Sequence, residues 1–377
     1  MNATRFPYPP PVARPGDTLA QLNTPALIVD LEAFEANLDQ LAALSRQAGV
    51  ALRPHAKAHK TVAVAQAQLA RGAIGICCQK LSEAYPFAAA GIKDILISNE
   101  FVGPAKVAMA IELAARITLR VCVDHVAQVE ALGAAAVAAG VTIGVLVEVD
   151  IGQGRCGVPD QVSLLAVVRA VQRFAALRFD GLQAYHGGIQ HLVGHAARRA
   201  AAGRAAADTA GHVAFLAGHG IGCSMVAGGG TGSVEFDLET GVYTELQAGS
   251  YALMDRAYGS DEWGSAFRPR NALLIATTVM STDGHGRAVL DVGLKGLTLD
   301  SGLPLLHGVD PTQAEVVTVN DEHSVVALRG ATLPLGSQAL LVPGHCDPTV
   351  NLWDHLVGLR NGVVESVWAV SARGLSR

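Results

Sequence analysis

Charge is scarce in this chain. Only 16% of its 377 residues are Asp, Glu, Lys or Arg, against about 25% in ordinary soluble domains. So thin a polar coat predicts a large core and a subunit interface. The net charge of −5 offers no basic footprint for nucleic acid. Cysteine is sparse too: Cys77, Cys78, Cys122, Cys156, Cys223 and Cys346 lie scattered beside apolar runs. That pattern excludes a small disulfide scaffold and suits reduced thiols in the cytoplasm. Met1 to Gly16 is rich in Pro and Arg and has no apolar segment of the signal-peptide kind. One long uncharged stretch exists, Ala131 to Val147, but Gly140 divides it into a helical half and a β-branched half. It reads as a helix followed by a buried strand, and no membrane partner is expected.

What the chain has is alternation. Ala26–Val29 is a short strand candidate ended by Asp30, a good N-cap for a helix carrying Leu31, Phe34, Leu38, Leu41 and Leu44, with Gly49 closing it. Eight apolar strand candidates follow: 50–54, 73–77, 94–98, 118–123, 143–149, 178–184, 222–227 and 243–248. Helical segments lie between them at 80–90, 104–116, 126–139, 161–174 and 194–218. Eight strand–helix units predict an α/β fold, a (β/α)8 TIM-type barrel, with an open doubly wound sheet as the alternative. Beyond Tyr251 the pattern changes to β-type runs at 272–280, 288–292, 316–319, 324–328, 339–342 and 363–370, with Asn361-Gly362 as a hairpin signal. The expected division is a barrel over 31–265 and an all-β domain over 266–377, with residues 1–30 as candidates to join the latter.

Chemistry in such a barrel gathers at the C-terminal ends of the strands. Reading those positions in order gives Lys57 and His59, Gln79, Asn99, Asp124, Arg155, then Tyr185-His186-Gly187-Gly188. Gly228-Gly229-Gly230-Thr231-Gly232-Ser233 follows the seventh strand and Gly249-Ser250-Tyr251 the eighth. A lysine at the end of a buried strand loses hydration, which disfavours its ammonium and suits a Schiff base. The glycine run reads either as a structural turn or as backbone N–H groups converging on an anion, with the Thr231 and Ser233 hydroxyls added; its place after strand seven, where phosphate sites often lie in these barrels, favours phosphate. It is not a Walker loop, since no GK[ST] follows. Lysine and phosphate cradle at one mouth point to pyridoxal 5'-phosphate, with Arg155 on the ring's phenolic oxygen or nitrogen, or else in a loop salt bridge. Near the end, His345 and Asp347 at i, i+2 share a side if the segment is extended, which suits two ligands on Mn²⁺, Mg²⁺ or Zn²⁺. A turn stabilised by Asp347 ahead of Pro348 is the alternative. Asn320-Asp321-Glu322-His323 reads as a solvated hairpin.

Taken together, Arg53-Pro54-His55-Ala56-Lys57-Ala58-His59-Lys60, Val149 to Gly157, Gln183 to Gly187, the GGGTGS loop, Thr244 to Tyr251 and the His345–Asp347 triplet resemble the alanine-racemase-barrel (fold type III) pyridoxal-phosphate enzymes. Within them they resemble the D-threonine aldolase and D-serine dehydratase group. The resemblance implies that Lys57 bonds the cofactor, that Arg155 contacts it and that the loops after strands seven and eight hold its phosphate. It also implies a dimer with one subunit's β domain near the other's site. A His-x-Asp triplet matches the aldolase pattern and His-x-Cys the dehydratase pattern; here His345-Cys346-Asp347 matches the former. The implied reaction is retro-aldol cleavage of a D-β-hydroxy-α-amino acid, with His59 as first choice of base and His186 as second. β-Elimination from D-serine or 3-hydroxyaspartate is the alternative.

Overall fold

The computed structural model describes residues 11–284 and 286–377, so the first ten residues of the Pro- and Arg-rich N-terminal stretch lie outside the described residues. The chain runs β1 (Ala26–Asp30), α1 (Leu31–Ala48), β2 (Ala51–Leu52), α2 (Val62–Leu69), β3 (Ile76–Cys78), α3 (Leu81–Ala89), β4 (Asp94–Ile97), α4 (Pro104–Ala114), β5 (Thr118–Val123) and α5 (Val126–Ala139). It continues through β6 (Ile143–Glu148), α6 (Gln161–Gln172), β7 (Leu177–Ala184), α7 (His195–Gly218), β8 (Met225–Gly228), α8 (Val234–Asp237), β9 (Glu245–Leu246) and α9 (Arg256–Gly259). Eight more strands complete the chain: β10 (Leu273–Thr282), β11 (Arg287–Leu290), β12 (Leu305–Leu306), β13 (Ala314–Val319), β14 (Ser324–Leu328), β15 (Gln338–Val342) and, after α10 (Cys346–Val350), β16 (His355–Arg360) and β17 (Val363–Ala369).

All eight expected parallel strands form one sheet, ordered β2-β9-β8-β7-β6-β5-β4-β3. The sheet closes. The Ile74 and Cys77 N–H groups donate to the Leu52 and Pro54 carbonyls, each at 2.9 Å, and His55 and Cys77 form a parallel bridge. The open sheet is therefore replaced by a barrel. Asp30 caps α1 by accepting from the Glu32 and Ala33 N–H groups, and Gly49 ends it in the left-handed region at φ 68°. Helix α2 and strand β16 were not expected. α2 is a run of Ala, Val and Gln without clear amphipathic spacing, and β16 is bounded by His355 and Arg360 and held by its neighbours instead of its own pattern. β1 pairs antiparallel with β10 and parallel with β16, so it lies in the C-terminal sheet. Asn361 and Gly362, both at positive φ (51° and 75°), turn the β16–β17 hairpin. The Asn320–His323 segment is a hairpin turn, closed by the Asn320 N–H on the His323 carbonyl at 2.8 Å. No described helix is long and apolar enough to cross a membrane.

Alternate residues of a strand face one side, and along the barrel strands that rule stacks the interior in layers. The floor is ionic: buried Arg53 bonds Glu245 (2.9 Å) and Asp94 (2.6 Å), and Arg120 bonds Asp94 and Asp180. Two residues further along each strand come Cys77, Leu96, Cys122, Leu146 and Ala227, a small apolar cluster. At the same height stand His55 and the reciprocal amide pair Gln183–Gln247, bonded at 2.9 and 2.8 Å. Two residues further again come Lys57, Gln79, Ser98, Tyr185, Gly229 and Gly249, which line the mouth.

Candidate active site

A cleft occupies the mouth, lined by Lys57, Gln79, Arg155, Tyr185, Gly229, Gly230, Thr231, Gly249 and Ser250. All of these were expected from strand-end positions. Sequence reasoning missed His55, Ser98, Gln183, Gln247 and Tyr258, which also line it. For the first four the missing signal was the strand period, counted back from the end.

His55 is the best held of the missed residues. Its Nδ1 accepts the Lys57 N–H (3.3 Å), and its Nε2 lies 3.1 Å from Gln79 Oε1 and 2.9 Å from Ser98 Oγ. With Nδ1 an acceptor, Nε2 carries the proton. Burial, with Lys57 adding to it, pushes the imidazole down to about 3. His55 therefore stays neutral and fixes the turn that presents Lys57.

Lys57 itself departs from expectation. Its Nζ stands 3.4 Å from Asp347 Oδ2, and that carboxylate raises its pKa, outweighing the burial that was expected to lower it. Burial pushes Asp347 up, but Lys57 and His345 overcome it and bring the carboxyl down to about 2. The pair is an ion pair at neutral pH.

The phosphate-type cradle is smaller than its sequence motif. Thr231 Oγ1 accepts the Tyr251 N–H (3.0 Å), leaving its own proton to donate. Ser233 is saturated: its Oγ donates to Asp237 Oδ2 (2.6 Å) and accepts from the Gly230 N–H and Gln190 Nε2. Gly232 is also engaged, its N–H on Gln190 Oε1 at 2.9 Å and its carbonyl on Arg198 Nε at 2.7 Å, and it does not line the cleft. Tyr251 is buried, with its hydroxyl 3.3 Å from Gln68 Nε2. It is a core residue, not a cleft residue. What remains, Gly229, Gly230, Thr231, Gly249 and Ser250, is a concave patch of small residues. A Cβ on Gly249 would come within 2.8 Å of the His55 carbonyl, and one on Gly230 would strike Gln190. Such a patch suits a phosphate approached by backbone N–H groups.

Beneath it lies Asp237, 3% exposed. Burial pushes its carboxyl from 3.8 up to about 7, against the donors from Ser233 and Gly230. A folded pKa above the unfolded one means stability is whole below about pH 4 and is lost as pH rises through about 7. D237N is expected to flatten that part of the curve. Urea midpoints of wild type and variant between pH 4 and 8 check this, and an unchanged decline in D237N would assign it elsewhere.

Arg155 is half-exposed, with its guanidinium 5.3 Å from the Tyr185 ring centroid and 3.8 Å from Glu148 Oε1. Burial, with Glu100 beside it, pushes Glu148 up to about 9. A neutral Glu148 leaves the Arg155 charge free to face the cleft. Asp124 accepts the Gly157 N–H (3.1 Å) and so holds the Arg155 loop, while Ser98, not Asn99, faces the cleft.

The triplet is not extended. His345 precedes α10, and Asp347 lies in its first turn. The helical turn still brings His345 Nε2 to 4.0 Å from Asp347 Oδ1, and His345 Nδ1 bonds Asp300 Oδ2 at 2.5 Å. Ligand bonds of about 2.0–2.2 Å to one ion would span donors so spaced. A carboxylate on the far ring nitrogen is the usual companion of a ligating histidine. Asp300 was missed because only the fold brings it to His345. Among the described residues no group of three or more His, Cys, Asp or Glu forms a metal cluster, so this pair would leave positions open for substrate or water. The Cys346 thiol is fully buried and donates to Asp347 Oδ1 at 3.2 Å.

Neither expected base lines the cleft. His59 is fully buried against Phe87, accepts the Thr61 N–H on Nδ1, and burial pushes it down to about 4. The His186 ring turns to the Gly152 loop, within 3.4 Å of where a Cβ on Gly152 would lie. A further histidine, His191, stands beside the cleft against Tyr258, which lines it. It is exposed, its ring lies 4.5 Å from that of Tyr258, and it feels the charges of Asp255, His345, Asp347 and Lys57. Desolvation lowers its pKa, which keeps it neutral and able to accept a proton. No strand-end rule reaches it, because it sits six residues past Tyr185.

The alanine racemase N-terminal domain family matches residues 29–256, and the serine dehydratase domain family matches 272–359. Over 370 residues the chain is 50% identical to a D-threonine aldolase from Arthrobacter sp., covering 98% of this chain and 97% of the relative. It is 42% identical to a 3-hydroxy-D-aspartate aldolase from Paracoccus denitrificans, covering 96% and 95%. The solved D-threonine aldolase from Filomicrobium marinum superposes with a TM-score of 0.95 at 43% identity, covering 97% of this chain and all of that one.

Proposed function

Since this chain belongs to the alanine racemase N-terminal domain family and carries a serine dehydratase domain, we propose that it is a pyridoxal 5'-phosphate- and divalent-metal-dependent lyase. It cleaves D-β-hydroxy-α-amino acids of the D-threonine type to glycine and an aldehyde, as the names of its aldolase relatives suggest. One observation carries the reading: a histidine–carboxylate pair, oriented by Asp300, stands directly on the amine of Lys57.

Lys57 would bond the cofactor aldehyde, Gly229, Gly230, Thr231, Gly249 and Ser250 would hold its phosphate, and Arg155 and Tyr185 would flank its ring. His345 and Asp347 would hold Mn²⁺ or Mg²⁺, with Zn²⁺ less suited to a site without thiolate. When bound, the cofactor supplies an electron sink at Cα and the ion a Lewis acid beside the β-hydroxyl. His191 takes the β-hydroxyl proton on its neutral ring, held at the mouth by Tyr258. The Cα–Cβ bond breaks with its electron pair on the glycine side, the β-carbon leaves as an aldehyde, and a proton restores Cα. Asp347, not a cysteine, stands two residues after His345 and beside the Lys57 amine, which favours the aldolase over the dehydratase alternative. A homodimer in the cytoplasm completes the reading, supported by the low charge content of the sequence and the six free cysteines among the described residues.

The test is product identity with D-threonine, D-phenylserine, D-serine and D-3-hydroxyaspartate, with and without Mn²⁺. Glycine plus aldehyde is expected; ammonia plus keto acid would replace this reading by the dehydratase. H191N is expected to lose roughly 10²–10⁴-fold in kcat, the usual contribution of a positioned acid–base group, with the cofactor retained. Full activity in H191N would remove the base from that position.

A further inference from the structure

His191 stands on a segment with few bonds of its own: the Leu192 N–H donates to the Ile189 carbonyl at 3.1 Å and the Val193 carbonyl accepts the Glu262 N–H at 2.9 Å. His191 is exposed, and so are Leu192 and Val193 at 37% and 53%. Both shoulders of the segment are also anchored from outside, and both anchors end on Gly232. On the N-terminal side Gln190, 2% exposed, accepts the Gly232 N–H on its Oε1 (2.9 Å) and donates from its Nε2 to Ser233 Oγ (3.0 Å). The approach is close enough that a Cβ on Gly232 would strike the Gln190 carbonyl. On the C-terminal side stands Arg198 of α7, which has no exposed surface. Its Nε donates to the Gly232 carbonyl at 2.7 Å, and one terminal nitrogen donates to the Leu192 and Val193 carbonyls at 2.5 and 3.0 Å. The other terminal nitrogen donates to the Glu262 carbonyl at 2.6 Å.

This arginine is held chiefly by hydrogen bonds, its ion pair being a long one. The carboxylate nearest it, Asp261, stands 3.9 Å away, and neither of its oxygens has a hydrogen-bond partner among the described residues. The guanidinium lies over Phe236 and Trp263 (5.8 and 5.4 Å to the ring centroids) and directs its donors to backbone carbonyls of three segments. A planar fork of five N–H groups can do that, whereas an ammonium on a flexible stem cannot.

Resting on the assignment of His191 as the base, we infer that Gln190 and Arg198 are positioning residues that tie His191 to the cofactor's phosphate loop. Gly232 and Ser233 continue directly from Gly230 and Thr231. Drawing those two onto a phosphate moves Gly232, and Gly232 carries both shoulders of the His191 segment with it. The base is thereby set in place when the cradle is filled.

The experiment has two arms. In the first, the full-length chain stripped of cofactor is labelled with ¹³C-histidine, and the His191 ring signal is assigned by its loss in H191N. Inorganic phosphate is then added while binding is followed by calorimetry. In wild type the His191 signal should shift in proportion to phosphate bound. In Q190A and R198K phosphate should still bind, but the His191 shift should largely vanish. In the second arm, loaded Q190A and R198K should keep the wild-type KM and cofactor absorbance while kcat falls by up to about 10²-fold, the cost of an ångström-scale misplacement. A His191 signal indifferent to bound phosphate in wild type, or equal shifts in wild type and both variants, overturns the coupling. Absence of any phosphate heat removes the cradle and the coupling together. An active H191N removes the base assignment instead, and so separates the two failures. Q190A keeps the test open should R198K not fold.

Discussion

Alanine at position 57 is expected to leave a folded chain with no measurable turnover and none of the long-wavelength absorbance of a lysine-bound cofactor. The loss should be about 10⁴-fold or more, the scale seen when a covalent catalytic group is removed. The argument is positional. Lys57 is the only lysine lining the cleft among the described residues, and its backbone N–H is held by the buried, neutral His55. Lys60, three residues on, is tied to Glu83 at 2.6 Å and cannot substitute. Stability should change little, because removing Lys57 frees Asp347 while His345 and Ser250 remain beside it. The check is a spectrum and a steady-state assay on K57A reconstituted with cofactor. Normal absorbance with activity above background would end the assignment. Phosphate binding to K57A should survive, since the cradle residues lie on other loops.

The barrel was legible because parallel strands buried on both faces read as short apolar runs, and helices between them read by their caps and spacing. β6, Ile143–Glu148, is buried throughout and stood out at once. β2 and β9 hold only two residues each by ladder pairing, yet the chemistry at their ends marked them. β16 was not legible, because its place is set by pairing with β1 more than three hundred residues earlier. Within the site, strand-end residues were found and their neighbours two positions back were not. His55, Gln183 and Gln247 needed the period-two rule to be run down each strand once the ends were known. The glycine run was read as wholly phosphate-binding, whereas its second half is consumed by Gln190, Arg198 and Asp237. No local pattern announces that, since the partners come from α7, α8 and the loop after β7. His191 and Asp300 failed to register for the same reason. Their roles come from what the fold sets opposite them, and the preference for His59 rested on sequence nearness to Lys57, which burial annuls.

Asparagine at position 347 is expected to separate two roles that the wild-type carboxylate combines. Asn keeps the size of Asp and can still accept from Ser250 Oγ, 3.1 Å away in the wild type, but it carries no charge to hold a divalent ion or the Lys57 ammonium. Mn²⁺ affinity measured by calorimetry should collapse, and kcat should fall by about 10³-fold, since Lewis-acid stabilisation is worth several kcal/mol. Chelation with EDTA should bring wild type down to the same level while leaving its cofactor bound. D300N, which only loosens the carboxylate on the far nitrogen of His345, should lose less, roughly 10–100-fold in metal affinity. Cofactor loading should move in the opposite direction. In the wild type, Asp347 raises the Lys57 pKa, so the amine must shed a tightly held proton before it can bond an aldehyde. Without that carboxylate the burial of the amine prevails and its free form is reached at lower pH, so D347N should load at least as fast as wild type near neutrality. Stopped-flow absorbance during reconstitution reads the loading rate, and the aldehyde assay reads turnover. A D347N protein that loads slowly and turns over normally would reverse both halves of the argument. One that loads readily and cannot cleave places the metal, and not the cofactor, on this residue.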